Sequence, residues 1–225
     1  MRKPVIVLTI IAFIACFLIG LYLAEIVPGK GSITGQSSNQ PLSTPASRFQ
    51  HNILIIHVDD LQAQSPQLVS IWGLIVYFPD PKLIFQRVYP LDMLENDKIE
   101  ASFALSAGKV PNATFLKTLN KSLNIVWDNY ILMDTQAGDH LSAWSGGPVL
   151  SGTEAGQEQL ITVEGDAVRK LCEKFASQRP GSRDPFDWQS MIPDHFLTNI
   201  PFDFGLLSID RLSQGDTPIK CDIYS

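Results

Sequence analysis

The chain has 225 residues and is 45% hydrophobic, an average over two unlike regions, with 17 basic and 23 acidic side chains. Arg2 and Lys3 are the only charges before residue 25, so the remainder carries 15 basic and 23 acidic groups, a formal −8. A surplus of that sign excludes the basic footprint of a nucleic-acid binder. It does not exclude a small phosphate ligand, which needs only a few local cations.

Val5 to Ala24, VIVLTIIAFIACFLIGLYLA, contains no charged residue. As a helix this run is long enough to cross a hydrocarbon core of ~30 Å. The basic pair before it and Glu25 after it leave residues 1–4 as a short cytoplasmic tail and export the rest. A cleaved signal peptide is the competing reading. Against it stand the length of the run, beyond the ~7–15 residues of a signal core, and the poor cleavage site in LYLAE. Cys16 lies mid-run and reads as a cysteine within the membrane. Residues 25–49 are rich in Gly, Ser, Pro, Gln and Thr and read as a flexible tether. Residues 50–225 then form one extracytoplasmic domain, long enough to bury a sizeable core.

NILIIHV (52–58) is a continuous apolar run, as expected of a strand buried on both faces. LIVYF (74–78) is a second strand, PDP a turn, and KLIFQRVY (82–89) a third strand, antiparallel because the connection is so short. NATFLKTLNKSLN (112–124) places Phe115, Leu116, Leu119 and Leu123 on one helical face, with Asn112 positioned to cap it. WDNYILMDT (127–135) is a strand with Tyr130 and Leu132 directed inward. The glycines of WSGGP (144–148) mark a turn that needs permissive backbone angles. GDAVRKLCEKFA (165–176) shows Ala167, Val168, Leu171, Cys172 and Phe175 at helical spacing, with Asp166 near the start. DPFDWQSMIPDHFLTNI (184–200) reads as a further helix that Pro193 kinks or ends. Alternating strands and helices predict an α/β domain layered α-β-α around a mixed sheet.

The chemistry-bearing residues are few. His57, Asp59 and Asp60 stand at the mouth of the first strand, where His57 and Asp59 would share a face. Oxygen ligands of that kind suit Mg²⁺, but strand-ending carboxylates also serve simply as turns. There is no phosphate-loop pattern, no dinucleotide fingerprint and no Gly-x-Ser-x-Gly elbow. The four histidines, at 51, 57, 140 and 195, are scattered. Arg169, Lys170 and Lys174 read as a solvated helix face. Cys172 and Cys221 form either a disulfide that ties the C-terminus to the domain or two buried thiols, and a cysteine count does not decide between them.

The order of these pieces resembles the LytR–CpsA–Psr family of bacterial cell-envelope proteins. IIHVDDL (55–61) stands where that family has an apolar strand ending in Gly-x-Asp-x-Arg, with Asp59 as the aspartate. LIVYFPDPKLIFQRVYPLD (74–92) follows its strand, turn and strand ending in Pro-Arg-Asp, here Pro90, Leu91 and Asp92. FLKTLNKSLNIVWDNYILMDTQAGDHLSAWSGGPV and LITVEGDAVRKLCEKF resemble its later helix, strand, and helices. The resemblance implies a single-pass membrane protein whose relatives transfer a glycopolymer from a polyprenyl-pyrophosphate lipid to the cell wall. In those relatives arginines grip the pyrophosphate and acidic residues hold Mg²⁺. A guanidinium fork suits phosphate oxygens, and cations stabilise the charge that develops in phosphoryl transfer.

Here the departures dominate. Leu61 and Leu91 occupy two arginine positions, and the Arg-Ser-Asp-Thr place falls near Ser70–Gly73 without either charge. Each lost charged contact costs ~1.5–3 kcal/mol. The reading that follows is a non-enzymatic envelope protein that binds a polyprenyl-type lipid or an envelope partner and needs no cofactor. The alternative is an active transferase with a rebuilt site. In it Asp59, Asp60 and Asp92 hold Mg²⁺, and Arg87, Arg179 or Arg183 reach the phosphates.

Overall fold

The computed structural model describes residues 49–78, 80–90, 96–151, 157–177, 186–187, 190–201 and 219–224. The expectations for residues 1–48, the membrane span and most of the tether, lie outside the described residues, as do Leu91, Asp92, Arg179 and Arg183. Among the described residues no helix is long and apolar enough to cross a membrane.

The elements run β1 (Gln50–Val58), β2 (Leu68–Tyr77), β3 (Lys82–Tyr89), α1 (Asn96–Ser102), β4 (Leu105–Ser106), β5 (Val110–Pro111), α2 (Ala113–Leu123), β6 (Asn129–Asp134), α3 (Thr135–Ser145), α4 (Gln157–Ser177), β7 (Phe196–Thr198) and β8 (Lys220–Tyr224). A six-stranded sheet has the order β7-β6-β1-β2-β3-β8. The β1–β6 and β3–β8 pairs are parallel and the other three are antiparallel, so the sheet is mixed. Strands β4 and β5 form a separate two-stranded ladder.

The apolar run of β1 explains its central place. Leu54, Ile56 and Val58 face one layer, where they join Ile71, Ile99 of α1, and Phe115 and Leu119 of α2. Ile53 and the partly buried Ile55 face the other, with Trp72, Val76, Phe85 and Cys172 of α4. Helices therefore cover both faces, and the sheet is the middle of three layers. Leu54, Ile56, Phe115 and Leu119 have no exposed surface. Full burial of each such side chain contributes ~1.5–3 kcal/mol before entropy is counted.

Local chemistry sets the helix ends. Asn112 accepts a hydrogen bond from the Phe115 amide and Asp134 one from the Ala137 amide, so both act as N-caps. Gly146 closes α3 at φ 78°, a left-handed conformation that glycine adopts without steric cost.

Three boundaries differ from the sequence reading. Strand β2 begins at Leu68, so Ser70–Gly73 lie within a strand. Helix α4 begins at Gln157, which makes Asp166 a mid-helix residue paired with Arg169 at 2.7 Å. The helix expected over 184–200 is not seen among its described residues, 186–187 and 190–200. Its described part is turns followed by β7, which pairs antiparallel with β6 through Met133↔Phe196. The open edge of β6 supplies hydrogen bonds that a Pro193-interrupted helix cannot.

Candidate functional site

Asp59 and Asp60 lie in the exposed loop that follows β1. Asp59 Oδ1 accepts hydrogen bonds from the amides of Asp60 and Gln67, both at 2.7 Å, and the Asp59 amide donates to Gln67 O at 3.0 Å. Asp60 Oδ1 accepts from the Gln62 amide at 2.7 Å. These carboxylates close their own loop, as short acidic side chains do in turns. Among the described residues no three His, Cys, Asp or Glu side chains group as metal ligands would. Asp59 and Asp60 have no third His, Cys, Asp or Glu beside them among the described residues, Asp92 lying outside those, and each carboxylate gives one oxygen to the backbone.

His57 does not accompany them. The β1–β2 register shifts between His57 and Val58, and the imidazole turns inward to 1% exposure. Its Nδ1 lies 2.6 Å from Oε1 of Glu164 on α4, and its Nε2 lies 3.2 Å from Oγ1 of Thr135 at the start of α3. Glu164 is itself 4% exposed and gathers two further donors. Ser70 Oγ donates to Oε1 at 2.8 Å, and Trp72 Nε1 approaches Oε2 at 3.4 Å. Burial alone would raise the Glu164 pKa, but the hydrogen bonds from His57, Ser70 and Trp72 outweigh it and hold the carboxyl below its ordinary value.

Arg87 joins the same cluster. It is 4% exposed, and its guanidinium carbon stands 4.6 Å from the centre of the Trp72 ring. Nη2 donates to Ile161 O at 2.7 Å, whereas Nε and Nη1 are buried without a hydrogen-bond partner. Burial lowers the Arg87 pKa and the charge of Glu164 opposes that shift. Room for the guanidinium comes from Gly165, where a Cβ would stand 3.3 Å from Nη2. Sheet and α4 therefore enclose one acid, one arginine and one histidine.

Of the residues named as candidates, the structure unites Asp59 with Asp60 in a loop and sends Arg87 elsewhere, into the layer under α4. Glu164 escaped the sequence reading. Its signal is available in hindsight: it is the one acidic side chain on the stripe Leu160, Ala167, Val168, Leu171 once the helix is extended past Gly165.

A second histidine–carboxylate pair lies at the end of β6. Asp134, 2% exposed, holds His195 Nδ1 at 2.7 Å while capping α3. This pair fixes the segment leading into β7 against β6. Cys172 and Cys221 are joined as a disulfide with Cα atoms 5.5 Å apart, which fastens β8 to α4. An open groove of about 510 Å³ runs beside it, lined in part by Arg169, Glu173, Asp222 and Tyr224.

This architecture is the LytR–CpsA–Psr-like fold. The structure of TagT bound to LIIa-WTA superimposes with a TM-score of 0.52 at 9% identity, covering 85% of this chain and 84% of that one. TagV of B. subtilis aligns over 78% of this chain and 83% of its own at 14% identity, with a TM-score of 0.48. Protein gbs0355 of Streptococcus agalactiae aligns over 78% and 76% at 11% identity, also with a TM-score of 0.48. No protein-family model and no curated protein matches the sequence. The TagT superposition shows the fold, and at 9% identity it leaves function to be argued from the site.

Proposed function

We propose that the protein is a membrane-anchored, extracytoplasmic component of the bacterial cell envelope, non-catalytic, that binds a polyprenyl-type lipid or an envelope protein. The observation that supports a non-catalytic role is the closed polar cluster under α4. Arg87, the one candidate arginine among the described residues, is committed to Ile161 O, the Trp72 ring and the field of Glu164. Its Nε and Nη1 have no hydrogen-bond partner, but at 4% exposure they lie beneath α4 and present no donor to a phosphate at the surface. The loop carboxylates of Asp59 and Asp60 are likewise engaged by amides. Apolar binding of a polyprenyl chain survives such losses, because it rests on buried area and not on arginines. The TagT complex with LIIa-WTA gives the envelope its place in this reading.

The test is mass spectrometry of lipid co-purified with full-length protein, beside a variant carrying Asp59→Ala and Asp92→Ala. The proposal expects either an unphosphorylated polyprenyl lipid held equally by both proteins or a co-purified envelope protein. A polyprenyl pyrophosphate held by the wild type and lost from the variant would overturn it in favour of a Mg²⁺-dependent transferase.

A further inference from the structure

We infer that the outer edge of β8 is a docking site for an extended segment of a second polypeptide, which adds to the sheet as a further strand; the inference rests on the envelope-protein reading above. Strand β8 stands last in the sheet and pairs, among the described residues, with β3 alone. Lys220 N donates to Pro81 O at 2.9 Å, so the alternation of a parallel ladder turns the amides of Asp222 and Tyr224 toward β3 as well. The amides and carbonyls of Cys221 and Ile223 then point away from the sheet, where no described residue bonds to them. A row of donors and acceptors at strand spacing is matched by another extended main chain.

Helix α4 supplies a wall beside that edge. Arg169, Cys172, Glu173 and Ala176 fall on one stripe of the helix, and with Ile223 they line the open groove of about 510 Å³. Cys221 and Ile223 direct their side chains to the same layer, against the apolar cluster under α4. A strand paired with β8 therefore sets every second side chain into the groove, over Ile223 and Ala176, and turns the others to the opposite face. The Cys172–Cys221 disulfide joins the two walls, so the groove is already formed and little ordering accompanies binding.

The usual guards of an open edge are turned aside here. Charged side chains on an edge strand hinder the addition of another. In β8 they are tied back to the sheet, Lys220 by Asp80 at 2.8 Å and Asp222 by Lys82 at 2.6 Å. A second copy of this chain is a poorer occupant. The symmetric antiparallel pairing that engages Cys221 and Ile223 of both copies sets Asp222 directly opposite itself, and like charges so placed are destabilising.

The test uses full-length protein in detergent micelles. The probe is a seven-residue peptide of alternating valine and threonine with lysine at both ends, in millimolar excess, since main-chain bonds carry the affinity in this mode of binding. Amide hydrogen exchange is read residue by residue along β8. The peptide is expected to slow exchange at Cys221 and Ile223 about tenfold or more and to leave Asp222 and Tyr224, whose amides face β3, unchanged. The same peptide carrying a single N-methyl group is expected to lose this effect at alternate positions only, because every second amide faces β8. No slowing, or an equal loss at every methylated position, overturns the inference. A protein that sediments as a dimer with Cys221 and Ile223 already protected overturns it in favour of a second copy. An envelope protein that co-purifies while both amides exchange freely overturns the inference alone; the envelope reading falls to the pyrophosphate result of the preceding test.

Discussion

His57 and Glu164 are 107 residues apart in sequence, and their side chains meet at 2.6 Å in the buried layer between β1 and α4. That contact decides how the rest of the polar cluster is used. Glu164 draws Ser70 and Trp72 from β2 and stands in the field of Arg87 from β3. One helix is thereby registered against three adjacent strands. Isolated polar groups buried this deeply would be costly, and the acid is what makes the set tolerable.

Removal of Glu164 is the first test. Glu164→Leu leaves Arg87 and His57 buried beside an apolar side chain, and unfolding in urea is expected to show a loss of ~3–5 kcal/mol. Glu164→Gln keeps the shape and one acceptor oxygen, enough for His57 and Ser70 but not also for Trp72, and is expected to lose less. A loss no larger for Leu than for Gln would mean that the charge is not what the cluster needs.

The same residue gives a pH signature. Its folded pKa lies below the ordinary value of 4.5. A depressed carboxyl contributes stability that is fully present above the unfolded pKa and lost as pH falls through the folded one. The stability difference between wild type and Glu164→Gln is therefore expected to be constant from pH 7 down to about pH 5 and to shrink below 4.5. Urea midpoints measured across that range check it.

Gly165 is expected to be tied to Arg87 alone. Gly→Ala in a helix interior normally gains up to ~1 kcal/mol. Here the new methyl stands 3.3 Å from Nη2 of a guanidinium that is already wedged between Trp72 and Ile161 O. Gly165→Ala is expected to be neutral or destabilising by ~1–2 kcal/mol in the wild type, an overpacking cost, and stabilising in an Arg87→Met background. A double-mutant cycle measures the difference, and a vanishing coupling would contradict the packing described.

The disulfide between Cys172 and Cys221 closes a loop with a sequence separation of 49 residues. Reduction, or replacement of both cysteines by Ala, is expected to lower stability by ~2–4 kcal/mol. Strand β8 should be the element that loosens. Hydrogen exchange of residues 220–224 before and after reduction checks this, and unchanged protection there would show that the β3–β8 pairing suffices by itself.

Much of the architecture is legible in the sequence because local rules agree there with the tertiary fold. The continuous apolar run of β1 announces a central strand, and Asn112 announces the start of α2. Legibility fails where a distant partner decides. Phe196–Thr198 become a strand because the edge of β6 is open to them, which no local pattern records. The apolar spacing shows helix α4 only from Gly165 onward, with Asp166 near its start, and says nothing of what Gly165 and Glu164 do. Their real roles, space for Arg87 and a counter-charge for it, exist only once β3 lies beneath the helix. For the site, the pair Asp59 and Asp60 was visible, but its neighbours were not. Whether a carboxylate faces a ligand or its own backbone depends on the loop it closes, and Gln67 is the residue that settles it for Asp59.

In the function proposed above, the polar groups serve the protein interior and its loops, and not a phosphate head group. The most direct measurement is calorimetric binding of geranyl diphosphate and of geraniol to the full-length protein, each with Mg²⁺ and with chelator. The two ligands are expected to bind within about twofold of each other, unaffected by Mg²⁺, because only the apolar chain contributes. Diphosphate binding about tenfold or more tighter than geraniol, dependent on Mg²⁺ and abolished by Asp59→Ala, would contradict it and restore the transferase.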